Sequence, residues 1–136
     1  MPLLHRAILG CLLTLLTGAG GCDEAVPAGD VITVPSGREV RFLDVITNVP
    51  GAEGATARFR FVAPGLVGGD STAAADMLAL CDSYALPRTT GTVPLPRQII
   101  ISLAAAEVPF GEAAPDVAQL FEAYSVAGGA CVWEAF

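Results

Sequence analysis

Cys81 and Cys131 carry the most definite chemistry in this chain. Of its four cysteines, Cys11 lies within an apolar N-terminal stretch and Cys22 closes it, which leaves these two as a natural pair. In an oxidising compartment they would form a disulfide; the alternative is a pair of buried free thiols, and a catalytic redox pair would need a Cys-x-x-Cys motif that is absent. A second candidate group is cationic. Arg38, Arg41, Arg58 and Arg60 could gather on the outer face of a strand pair and bind an anion such as a lipid headgroup or a phosphorylated glycan, or they could form a solvated face with Glu39 and Asp44 as cross-strand partners. A third is acidic. Glu107, Glu112 and Asp116 surround Pro109-Phe110-Gly111, and with Glu122 or Glu134 they could supply the paired carboxylates of a glycan hydrolase, although no spacing demands a pair.

Missing residue types exclude more than present ones suggest. The single histidine is His5, and the chain has no lysine. Past the N-terminal stretch there is no imidazole for a catalytic triad or a His-based metal site, no Schiff-base amine and no phosphate-loop lysine. The Gly-rich run Gly65 to Asp70 is accordingly read as a connection and not as a phosphate cradle. Isolated Asp and Glu specify no metal, and no cofactor motif is present. Fourteen acidic residues face seven arginines, a net charge of −7. That surface disfavours nucleic acid as a partner.

Positioning these groups falls to alternating strands and one amphipathic helix. Val31 to Val34 and Glu39 to Thr47 read as strands around the turn Pro35-Ser36-Gly37, and Asn48 to Gly54 as a loop. Thr56 to Val62 alternates strongly, with Phe59 and Phe61 on one face and Arg58 and Arg60 on the other. Asp70 or Ser71 can cap a helix that runs to about Tyr84 or Ala85 and ends before Pro87. Its apolar stripe is Met77, Leu80, Cys81 and Tyr84, with Asp76, Asp82 and Ser83 facing away. Gln98 to Leu103 is a β-branched run typical of a buried strand. Residues 104–118 read mostly as loop. Gly128-Gly129 suits a two-residue hairpin turn that would pair Val126 with Cys131 and Tyr124 with Trp133, on a face that meets the helix. The aromatic residues Tyr84, Tyr124 and Trp133 read as packing and not as a sugar platform.

Residues 1–21 have the form of a cleavable signal: a short segment with Arg6, then an uncharged Leu-rich stretch too short to span a bilayer. Gly18-Ala19-Gly20-Gly21 before Cys22 resembles the lipobox of bacterial lipoproteins, in which the Cys is acylated and becomes the new N-terminus; Ala19 stands where Leu is usual. Cleavage around Ala19 to Gly21 without a lipid is the alternative, and would leave a soluble periplasmic protein. With the lipid, residues 22–30 form an acidic tether and Asp23 favours retention at the inner membrane.

Six segments taken together, Val34 to Gly37, RFRFVAP from Arg58, CDSYALP from Cys81, QIIISLA from Gln98, Val108 to Tyr124 and CVWEAF from Cys131, resemble an uncharacterised family of short exported alphaproteobacterial proteins. This domain-of-unknown-function family implies no activity. Its members are sometimes labelled acetolactate synthase, a name at odds with residues that offer neither the large domains nor the cofactor motif of a thiamine diphosphate enzyme. The expectation is one α+β domain over residues 31–136, an antiparallel sheet of about five or six strands with one helix packed on it and Cys81 bridged to Cys131. The expected role is a non-enzymatic binding or accessory module of the cell envelope, held at the membrane by its lipid and partnering an envelope protein. A small carboxylate-dependent hydrolase of envelope glycans is the alternative.

Overall fold

The computed structural model describes residues 29–51 and 54–135. The expected signal, Cys22 and most of the tether lie outside the described residues. Six strands form one sheet in the order β1 to β6: β1 (Val31–Ile32), β2 (Val40–Gly51), β3 (Gly54–Val62), β4 (Gln98–Ala104), β5 (Gln119–Ala127) and β6 (Ala130–Glu134). The sheet is mixed, where an antiparallel one was expected, because β3 and β4 run parallel from Thr56↔Gln98 to Val62↔Ala104. Parallel neighbours need a crossover that carries the chain back to the end of the sheet where the first strand began, and the segment that contains the helix supplies it. Every other pairing is antiparallel.

The helix begins as α1 (Ala73–Leu80), widens to five-residue bonding over Cys81–Ala85 and closes with one further turn, α2 (Leu86–Thr89). It therefore does not stop before Pro87. The Leu86 N–H donates to the carbonyl of Cys81, so Pro87 enters at the first turn of a fresh segment, the helical position where a missing N–H costs least. As expected, Met77, Leu80 and Cys81 are buried, against Phe59, Phe61, Ile99, Ile101, Leu103 and Tyr124 of the sheet. Phe42, Phe61 and Tyr84 meet ring to ring at 5.1–5.8 Å, within the range where aromatic pairs attract.

Asp76 was expected to face away from the core and is instead fully buried. It accepts the Ser36 N–H at 2.9 Å and the Ser36 hydroxyl at 2.6 Å, and Arg38 Nε donates to it at 2.7 Å. Arg38 Nη2 reaches Asp70 at 2.6 Å. The hydroxyl of Thr72, then Arg38, hold the Asp70 carboxyl at a pKa of about 2. The turn before β2 is thereby clamped to the start of the helix.

The middle of the helix is tied to the edge strand. Cys81 and Cys131 form the disulfide with their Cα atoms 6.2 Å apart, and Asp82 accepts the Cys131 N–H at 2.8 Å. The β5–β6 hairpin has the expected register, Tyr124↔Trp133 and Val126↔Cys131. Its two-residue turn places both Gly128 and Gly129 at positive φ, the geometry whose twist matches the strands and that side chains resist. Tyr124 is buried beneath the helix, and that burial pushes its phenol pKa up. Trp133, expected to share that contact, sits at the sheet edge 58% exposed, its indole N–H donated to Glu122 at 2.5 Å. The expected loop from Asn48 to Gly54 is shorter than anticipated, since β2 and β3 pair out to Gly51 and Gly54.

Candidate binding site on the face opposite the helix

Alternation along β3 sends Phe59 and Phe61 into the core and presents Arg58 and Arg60 on the other face. A register shift in β2 decides what Arg60 meets. Between Phe42↔Phe61 and Asp44↔Arg60, β2 advances two residues while β3 advances one. The extra residue turns Asp44 away from the side occupied by Phe42 and sets it directly across from Arg60. The guanidinium then makes a two-pronged contact, Nε to Oδ1 at 2.6 Å and Nη2 to Oδ2 at 2.5 Å, while Nη1 donates to the Val108 carbonyl at 2.7 Å. This shared charge raises the Arg60 pKa. Arg60 is thus occupied with holding residues 105–118 down on the sheet.

That segment folds over this face of the sheet. The Ala105 N–H donates to the Ala118 carbonyl at 2.9 Å, closing its base, and the Glu112 N–H donates to the Pro109 carbonyl at 3.1 Å. Gly111, third of the four residues Pro109 to Glu112, has φ of 81°, the conformation a type II turn requires there. The turn brings the Phe110 ring over both arginines, 5.6 Å from the Arg58 guanidinium carbon and 5.7 Å from that of Arg60. Phe121, projecting from β5, lies 5.6 Å from Arg58. Arg58, Arg60, Ser102, Phe110, Glu112 and Phe121 all line a cavity of about 370 Å³.

Arg58 differs from Arg60 in a decisive respect. Among the described residues no carboxylate lies within ion-pair distance of it, and its contacts are the two phenyl rings. A guanidinium steadied by ring faces keeps its hydrogen-bond donors available, which suits it to bind a carboxylate or phosphate.

Only two of the four arginines considered from sequence meet at this site. Arg38 is engaged by Asp70 and Asp76 at the helix start, and Arg41 is bound to Glu39 and to the Gly29 carbonyl, at 2.8 Å each. Of the acidic residues, Glu107 lies near enough to Arg60 to help raise its pKa, but Glu122 and Glu134 do not join it. Glu122 and Glu134 project from opposite faces of the sheet, Glu122 toward Trp133 and Glu134 toward the Gln98 amide at 3.1 Å, while Glu112 stands at the arginine cavity. No group of three or more potential metal ligands occurs among the described residues. Phe110, Phe121 and Ser102 went unrecognised as site residues. A signal existed for Phe121: it alternates out of phase with the buried Tyr124, a large apolar residue on the polar face of its strand.

A family model described as a family of unknown function (DUF6497) matches residues 16–136. No curated protein and no solved structure matches the chain.

Proposed function

The chain belongs to this family of unknown function, and from that starting point we propose that it is an exported binding module of the cell envelope whose ligand bears a negative charge and docks on Arg58. The observation that carries the binding role is the Arg58 guanidinium, 5.6 Å from both the Phe110 and Phe121 rings at a cavity and without a carboxylate partner among the described residues. Its volume lies at the small end of the ~300–1,000 Å³ usual for ligand sites, which points to a small molecule.

Phenylacetate offers a carboxylate for Arg58 and a ring for the two phenylalanines. It is expected to bind in calorimetric titration and to shift the amide resonances of Phe110, Glu112 and Phe121. Arg58→Gln should weaken that binding at least tenfold, because it removes the charge and leaves much of the side chain's bulk. Equal binding by the variant would sink the assignment.

Export and anchoring complete the proposal. A disulfide between Cys81 and Cys131 suits an oxidising compartment and leaves Cys22 as the thiol available for acylation. Residues 22–30 would then tether the domain, residues 31–136, to a membrane, with the inner membrane favoured by Asp23. No helix of the described residues is long and apolar enough to cross one. Intact-mass spectrometry of the protein from detergent-solubilised membranes should show acyl chains on an N-terminal Cys22. An unmodified start at Gly20, Gly21 or Cys22 would remove the anchor from the proposal.

A further inference from the structure

Which anion suits Arg58 depends on what else stands around it, so the following step rests on the binding role just proposed. Arg58 and Glu112 line one cavity, yet no ion pair joins them. They arrive on different supports. Arg58 comes from the middle of β3, where it is paired in parallel with Ile100 of β4, and Glu112 from the turn whose Pro109–Glu112 hydrogen bond fixes its backbone. In the same molecule Asp44 closes fully on Arg60, and Glu39 on Arg41. Glu112 is exposed at the rim of the cavity that Arg58 lines, and with no ion pair between the two, both charges remain open to a guest.

The cavity lining beside Arg58 has a matching apolar character. The rings of Phe110 and Phe121 flank Arg58, and each is partly exposed. A guest that satisfies all of these groups carries a carboxylate, an ammonium and an apolar side chain within a small volume.

We infer that the cavity binds a free α-amino acid with an apolar side chain, its carboxylate on Arg58, its ammonium toward Glu112 and its side chain against Phe110 and Phe121. A peptide fits this arrangement poorly, because its two terminal charges belong to different residues. A simple anion such as phenylacetate still docks on Arg58 but binds more weakly, because Glu112 then stands unpaired beside its charge.

Calorimetric titration of the full-length chain, purified in detergent, separates these ligands. L-phenylalanine is expected to bind, with N-acetyl-L-phenylalanine, L-phenylalaninamide and the dipeptide Phe-Phe each at least tenfold weaker. Glu112→Gln should weaken L-phenylalanine about tenfold while leaving or improving the N-acetyl compound, and Arg58→Gln should weaken both. A merely structural role for Glu112 would move the two ligands together. Should N-acetyl-L-phenylalanine bind as well as L-phenylalanine, with Arg58 still required, the amino-acid assignment fails and the anion site stands. If binding of every compound is indifferent to Arg58→Gln, the anion site fails as well.

Discussion

Asp76→Ala is expected to lower the unfolding free energy by about 3–5 kcal/mol, the usual cost of breaking a buried ion pair by removing one partner. The carboxylate is wholly inaccessible and takes three hydrogen bonds, from the Ser36 N–H, the Ser36 hydroxyl and Arg38 Nε. Without it the Ser36 N–H loses its acceptor in a part-buried setting, and Arg38 keeps only Asp70, Thr72 and Ser36. Asp76→Asn should recover part of the loss, since an amide retains one acceptor oxygen while forfeiting the charge. Urea unfolding followed by circular dichroism reads both variants. A loss below about 1 kcal/mol for the alanine variant would show that water replaces the carboxylate at little cost.

This clamp also marks where sequence patterning stops being informative. Met77, Leu80 and Cys81 announce the buried helix face through their spacing alone, and the Gly128-Gly129 turn sets the register of the last hairpin through local conformation. Both are short-range properties. The role of Asp76 depends on Ser36 and Arg38, some 40 residues away in sequence, and a polar residue in a helix gives no sign that its partners arrive from elsewhere. The parallel β3–β4 pairing has the same origin: periodicity shows that each segment is a strand, but which strands become neighbours depends on how the helix returns the chain. At the candidate site, period-two alternation puts Arg58 and Arg60 on one face, as the structure has them. It could not reveal Phe110, because residues 105–118 have no repeating pattern and reach the arginines through a type II turn and the Arg60 to Val108 hydrogen bond.

The second large effect is expected from the disulfide. Cys81 and Cys131 are 50 residues apart in the chain. Closing a loop of that length restricts the unfolded ensemble by about 4 kcal/mol in the chain-entropy account. Cys81→Ala with Cys131→Ala should therefore lower stability by about that amount, seen as a fall of roughly 15–30 °C in Tm for a domain of this size. Reductant should produce a similar fall in the parent and none in the double variant. The fold itself should persist below the lowered midpoint, because the Asp82 carboxylate still holds the Cys131 N–H and the helix still covers the sheet. A Tm change of less than about 5 °C would mean that the unfolded chain is already compact enough to make the crosslink redundant.

The strand order has a consequence in time. From β1 to β6 each strand lies beside its predecessor in the sequence, including across the helical crossover. A chain delivered N-terminus first can add every new strand to a template already in place, without waiting for a distant segment. β6 comes last in the sequence and brings Cys131 to the middle of the helix, where Cys81 lies. In that order of addition the covalent bond would serve as a latch on a finished sheet and not as a guide to its assembly.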